Sequence, residues 1–410
     1  MEKYLPNIIQ NLNFKSKLAL QISIIPLILF ILITLQSSNN LSFKRLYSSL
    51  HTNHHDNVSK TSSKKCDIFM GEWVQNMDAP YYTNDTCETI HEYQNCMKHG
   101  RPDTEFMKWR WKPYGCELPV FNSTRFLEMV RGKSMAFVGD SLARNHMQSL
   151  VCLLSQVERP LDNSTTQDEN FKRWYYPSYN FTLAMIWSPF LVKAQENDPN
   201  GKPGKITFAG LYLDEVDETW AAQIDGLDHL IISAGHWFFR LLILYEKRHI
   251  MGCRYCWTTN ITEQSVSYGY RNAFKTAFRA ILERENFKGK VYLRTFSPPH
   301  YEGGDWYNGG YCLRKKPYKS NEINFEGQNL EMYKAQLEVF EEAQILAQKR
   351  GLKFGLMNIT QTMLTRPDGH PSKYGHWENV NGTRPNDCIH WCLPGPIDSW
   401  NDILLEMLKE

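Results

Sequence analysis

The spacing of apolar residues changes character along the chain. Leu18 to Leu35 is an uninterrupted run of 18 uncharged residues, enough to cross a bilayer as one helix, and Pro26 within it is tolerable there. Residues 36–65 are polar and rich in Ser and Asn, without apolar periodicity, and predict an extended stem. From Cys66 to Phe121 neither a period of 2 nor one of 3.6 is sustained, which predicts an irregular cap. After Arg131, continuous apolar runs of strand length fall at Ser134–Gly139, Leu183–Trp187, Ile206–Leu213, His229–Ala234, Lys290–Phe296 and Leu352–Met357. Helical stripes lie between them: Met147, Leu150, Val151 and Leu154; Phe274, Phe278, Ile281 and Leu282; then Leu330, Tyr333, Leu337, Phe340 and Ala347, stopped by Gly351. Apolar strands alternating with helices predict an α/β fold, a parallel sheet with helices on both faces. The organisation expected is a tail (1–17), an anchor (18–35), a stem (36–65), a Cys-rich cap subdomain (66–121) and an α/β domain (122–410).

Charge sharpens the topology. The 410 residues hold 46 Lys and Arg against 44 Asp and Glu. Lys3, Lys15 and Lys17 face only Glu2 in the tail, so the rest carries 43 of each sign. Basic residues before the apolar run place the N-terminus in the cytosol and the body across the membrane. A cleaved signal peptide is the alternative, but no small-residue cleavage site follows the run. A neutral body lacks the basic face that nucleic acid requires. Nine glycosylation sequons and ten cysteines suit an oxidising lumen, where cysteines read as disulfides. A zinc site would rest on Cys253, Cys256 and His249, and a single CxxC is a weak basis for one. No metal is expected.

The chemistry concentrates at two short motifs. Gly139-Asp140-Ser141-Leu142 ends the first long strand and opens a helix, so Ser141 sits on a tight turn at the carboxyl edge of the sheet. Gly139 relieves the turn, and the helix N-terminus offers N–H groups to an oxyanion. Asp140 and Ser141 serving only as helix caps is the plainer alternative. Far along the chain comes Asp387-Cys388-Ile389-His390. A serine hydroxyl needs a base, His390 can be that base, and Asp387 can fix its tautomer. Asp387 paired with Arg384 is the plainer alternative here.

Together these motifs resemble the GDSL/SGNH hydrolase superfamily. Cys66-Asp67-Ile68-Phe69-Met70-Gly71-Glu72-Trp73, Gly100-Arg101-Pro102-Asp103, Lys108-Trp109-Arg110-Trp111, Gly235-His236-Trp237 and the block from Asp387 to Pro396 are closer still to the plant trichome-birefringence-like polysaccharide O-acetyltransferases. The resemblance spans about residues 66 to 408, and Ser233 to Phe239 looks like the altered-xyloglucan subgroup. It implies a single-pass type II Golgi membrane enzyme acetylating a hemicellulose, xyloglucan or mannan, by way of an acetyl-serine. Ser141, His390 and Asp387 would form the triad, with no bound cofactor and acetyl-CoA as a candidate donor. It also implies the pairs Cys66–Cys116, Cys87–Cys152, Cys96–Cys392, Cys312–Cys388 and Cys253–Cys256. Ser233 stands where many members carry an oxyanion-binding Asn, so Asn145 or the N–H groups of Ser141 and Leu142 would take that role. Arg144, His236, His300 and Trp306 are placed near the site by the same resemblance, and Trp109 and Trp111 are candidates for a glycan groove, with ordinary packing under loops as the plainer alternative. An acetyl-esterase using the same triad and a membrane-tethered glycan-binding protein are the rival readings.

Overall fold

Alternate side chains of Ser134–Gly139 enter two different cores, which is why that run has no polar face. Ala136 and Val138 join one buried cluster, Met135 and Phe137 the other. The structure is a computed structural model and describes residues 66–196, 209–256, 260–375 and 384–409. The expected tail, anchor and stem lie outside the described residues.

The strands, in chain order, are β1 Gly71–Gln75, β2 Trp109–Pro113, β3 Ser134–Gly139, β4 Leu161–Asp162, β5 Arg173–Tyr176, β6 Phe181–Trp187, β7 Val192–Glu196, β8 Ala209–Val216, β9 His229–Ser233, β10 Leu242–Glu246, β11 His249–Arg254, β12 Lys290–Arg294 and β13 Lys353–Met357. The helices are α1 Ser123–Met129, α2 Ser141–Leu154, α3 Glu218–Ala221, α4 Val266–Glu283, α5 Gly327–Lys349, α6 Thr360–Leu364 and α7 Asp398–Met407. The main sheet has seven strands in the order β13-β12-β9-β3-β6-β5-β4. From β13 to β6 neighbours run parallel, and β5 and β4 add antiparallel pairs at one edge. Side chains of α4 and α5 fill one core, and those of α2 and α7 fill the other. The parallel strands therefore follow the doubly wound 2-1-3-4-5 order, whose switch point lies between β3 and β9.

One expected strand belongs elsewhere. Instead of joining the main sheet, Ala209–Val216 is β8 of a four-stranded sheet ordered β11-β10-β8-β7. Leu211 and Leu213 are buried while Tyr212 between them is not, so the apolar run conceals a one-sided strand. Residues 206–208 lie outside the described residues.

The cap is the region of β1 and β2, which pair antiparallel with Trp73 opposite Trp111. Covalent ties fix it: Cys66–Cys116 closes it, Cys87–Cys152 reaches α2, and Cys96–Cys392 reaches the loop before α7. Cys253–Cys256 and Cys312–Cys388 complete five disulfides with the pairing the resemblance implies, and the first of them removes the zinc alternative's thiols. Buried polar contacts add to the ties. Tyr82 donates to Asp398 Oδ1 at 2.8 Å, and Arg101 donates to the carbonyls of His370 and Asp368 at 2.8 and 2.6 Å.

Candidate active site

The turn after β3 is held by contacts only glycine permits. Gly139 has φ +151°, and a Cβ there would stand 1.6 Å from the carbonyl oxygen of Ser233. β3 and β9 can therefore converge at the switch point. Asp140 caps α2, its Oδ1 accepting from Leu142 N–H at 3.0 Å, while its Oδ2 accepts from Gly235 N–H at 2.9 Å. One carboxylate thus joins the loops after β3 and β9. Ser141 takes no part in the cap with its side chain. Among the described residues, its N–H is the first-turn donor left without an acceptor, because Leu142, Ala143 and Arg144 all donate to Asp140.

His390 arrives from far along the chain. Its Nε2 lies 2.6 Å from Ser141 Oγ and its Nδ1 2.7 Å from Asp387 Oδ2. Since the carboxylate only accepts, Nδ1 carries the proton and Nε2 is the basic nitrogen facing the hydroxyl. Asp387 Oδ1 also accepts the N–H groups of Ile389 and His390 at 3.0 and 2.9 Å. Burial alone would raise the Asp387 carboxyl, but His390 and these N–H groups hold it well below the usual carboxylate range. Burial opposes charge on His390 as well. There Asp387 prevails, and the ring's pKa lies above the ordinary histidine value. The loop is fixed by Cys312–Cys388 on one side and Cys96–Cys392 on the other.

A cavity of about 760 Å³ opens from Ser141 and His390. Arg144 and His236 line it, with Trp187, Trp237, Tyr255, Trp306 and Tyr307 as aromatic walls. Trp306 and Tyr307 are 58% and 62% exposed, so this wall is open to solvent. The Arg240 guanidinium stacks 3.5 Å over Trp237. Arg144 donates to Asn170 Oδ1 at 2.6 Å, and its buried Nε finds no acceptor among the described residues. His236 Nε2 donates to the Ser297 carbonyl at 2.9 Å, and burial pushes its pKa down to about 4. His236 is therefore neutral, with Nδ1 as its acceptor.

Several expected roles do not survive this geometry. Asn145 is fully buried, its Oδ1 accepting from Trp391 N–H at 2.8 Å and its Nδ2 donating to Trp391 C=O at 3.3 Å. It anchors the His390 loop and is not among the residues lining the cavity, so it does not face an oxyanion there. Leu142 N–H is taken by Asp140. Ser233 is 1% exposed, and its side chain is not among those lining the cavity. Trp111 packs inside the cap hairpin against Trp73, with ring centroids 5.6 Å apart, and neither it nor Trp109 lines the cavity. His300 lies behind the loop rather than in the cavity. The cavity walls from Trp187, Tyr255 and Tyr307 carry no signal of their own in the sequence, because each is a single aromatic at the end of a strand or on a loop, and Trp237 is legible only through the Gly235-His236-Trp237 motif.

Comparison with known proteins agrees with this architecture. A family model described as a GDSL/SGNH-like acyl-esterase family found in Pmr5 and Cas1p matches residues 118–407, and that of the PMR5 N-terminal domain matches residues 64–117. Protein trichome birefringence-like 19 of Arabidopsis thaliana is 59% identical over 86% of this chain and 83% of its own length. Xyloglucan O-acetyltransferase 4 of Populus trichocarpa is 46% identical over 84% and 81%, and xyloglucan O-acetyltransferase 2 of Arabidopsis thaliana 42% over 84% and 83%. With a serine elbow at the switch point of a doubly wound sheet and matches of this extent, the chain belongs to the trichome birefringence-like branch of the GDSL/SGNH-like PC-esterase family.

Proposed function

We propose that this chain is a polysaccharide O-acetyltransferase that carries an acetyl group on Ser141 and delivers it to a hydroxyl of a hemicellulose, xyloglucan first and mannan as the alternative acceptor. The observation that carries the proposal is the hydrogen-bonded series Ser141–His390–Asp387 at the end of an aromatic-walled cavity. The relatives named xyloglucan O-acetyltransferases support the choice of acceptor.

In the first half-reaction His390 Nε2 takes the Ser141 proton as Oγ bonds to the acetyl carbon. The same proton then goes to the leaving group of the donor, for which acetyl-CoA is the candidate. In the second, a sugar hydroxyl gives its proton to Nε2 and attacks the acetyl-serine, and Ser141 departs with that proton. Ser141 N–H faces the oxyanion in both steps, and Arg144 beside it is the second cationic or donor group within reach. Exposed aromatic rings favour a sugar over water by stacking on its apolar faces. The uncharged run Leu18–Leu35 behind a basic tail supports a Golgi lumenal location through a single-pass anchor. In that compartment Asn163, Asn180 and Asn260 are exposed acceptors for glycans, whereas Asn358 is not, because its sequon Thr360 is buried.

The test incubates the full-length chain with acetyl-CoA and xyloglucan or mannan oligosaccharides and reads products by mass. Acetylated oligosaccharide and a transient 42-Da adduct (about one acetyl group,) on Ser141 are expected. Release of free acetate alone, with acceptor present, would assign an esterase instead.

A further inference from the structure

Behind the loop that carries His390, two buried imidazoles touch. His300 Nδ1 and His370 Nε2 are 2.7 Å apart. His300 Nε2 lies 3.0 Å from the carbonyl oxygen of Leu364, and His370 Nδ1 lies 2.7 Å from the carbonyl oxygen of His390 itself. A carbonyl oxygen only accepts, so His300 Nε2 and His370 Nδ1 must each carry a proton. The two inner nitrogens then face one another at 2.7 Å, which is a hydrogen bond only if a third proton lies between them. Flipping either ring puts carbon in place of both its nitrogens and breaks two of these contacts together.

We propose that His300 and His370 share this third proton, and that the resulting monocation is a positioning clamp on the backbone of His390. The surroundings are arranged for one charge and no more. Trp391 stacks on His370 with ring centroids 4.1 Å apart, offering its π-face to a cation. Asp368 favours the charged form of His300, and Asp387 favours that of His370. Against them stand burial, which pushes His300 down to about 4 and His370 well below its ordinary value, and the His390 ring and Arg101, whose Nη1 donates to the His370 carbonyl at 2.8 Å. Asp368 is itself ion-paired with Arg366 at 2.8 Å, and Tyr318 stands 6.2 Å from the His300 ring. Burial and mutual repulsion oppose a charge on each ring separately. A single proton between two nitrogens, with a carbonyl at either end, meets every contact with one charge for both rings.

The clamp also ties three loops together. His300 N–H donates to Cys388 C=O at 3.1 Å, so the segment after β12 is attached to the His390 loop twice, and His370 brings in the segment after α6. With rising pH the shared proton leaves, the inner contact becomes repulsive, and the support under His390 slackens. The proton count stands alone; its effect on turnover rests on the acetyl-transfer reading above.

The full-length chain, labelled with ¹⁵N-histidine, would be observed by NMR at pH 6. The expected result is one strongly downfield proton coupled to two imidazole nitrogens, present in wild type and in Ser141→Ala and lost in His300→Gln. Nitrogen shifts showing two protons on the pair across pH 5 to 8 would overturn the proposal, and this measurement on wild type needs no variant to fold. In acetyl transfer, His300→Gln should lower kcat roughly ten- to a hundredfold, leave KM unchanged and abolish the alkaline limb of the pH profile. A folded His300→Gln protein with the wild-type profile would refute the clamp. Transfer that persists in Ser141→Ala would sink the acetyl-serine reading and leave the proton count untouched.

Discussion

Asp140 and Ser141 are adjacent, and the helix start divides two tasks between them. Asp140 is fully occupied by N–H groups of two loops, which frees Ser141 Oγ to face His390. Ser141→Ala should abolish both transfer and the acetyl-enzyme adduct, read by intact mass, with thermal stability unchanged. Asp387→Asn leaves burial to act on His390 without the carboxylate, so kcat should fall by about 10⁴. The free His390 pKa lies above the ordinary 6.5, and activity rises with pH as the ring loses its proton. The acid limb of kcat/KM should therefore lie above that value in wild type and move downward in Asp387→Asn. Ser141, Asp387 and His390 were legible because each belongs to a compact motif whose chemistry demands a partner. Asn145 was misread for a physical reason: the sequence shows an amide one helical turn past the serine, but not the backbone of Trp391 that engages both ends of it.

Among the elements, the β3–α2 turn is the least tolerant of change. Gly139→Ala places a methyl group against the Ser233 carbonyl, and backbone rather than a flexible side chain would have to give way. A loss of about 3 kcal/mol or more is expected from clash and strain together, read by chemical denaturation. The parallel strands were legible as apolar runs because both their faces are buried. β8 was assigned to the wrong sheet, since a run of apolar residues does not report whether one face or two are covered. β10 follows the short apolar run Leu241–Tyr245, which is not among the predicted strands, while β11 and the antiparallel edge strands follow no such run. The cystine bridging Cys312 to Cys388 holds the segment beside Asp387, whose backbone also pairs with Ser372 at 2.8 and 2.9 Å. Replacing both cysteines by serine should lower kcat more than it lowers the melting temperature, because the loop loses its tether while the sheet does not.

Across the whole molecule, the cap and the α/β part meet around carboxyls whose pKa burial raises. Burial pushes Asp398 up to about 6 and Asp402 up to about 8, from an ordinary 3.8. The folded chain therefore binds more protons than the unfolded one between those values, and stability falls as pH rises through that window. Asp402→Asn keeps an acceptor for Phe121 N–H, now donated at 2.8 Å, and removes the titration. Its melting temperature should exceed that of wild type by a margin that grows from pH 4 to pH 8. At this scale the sequence revealed that cysteines fasten an irregular cap to an α/β body, and family resemblance rather than spacing supplied the partners. The cavity between strand ends and loops was not legible, because its walls come from residues scattered between Tyr93 and His390.

The same scattering imposes an order in time. Cys96 and its partner Cys392 are 296 residues apart, and Ser141 precedes His390 by 249. At roughly 5 to 20 residues per second, Cys96 leaves the ribosome tens of seconds before its partner exists, while Cys87 can already close on Cys152. Over the same interval Ser141 has no base. A ribosome stalled before residue 387 would carry an oxidised half-cap, two unsatisfied thiols, Cys96 and Cys312, and an inert serine, so the nascent protein is harmless to acetyl esters until its last loop is made. Trapping such stalled chains with a thiol-specific alkylating reagent should find Cys96 modified and Cys87 protected.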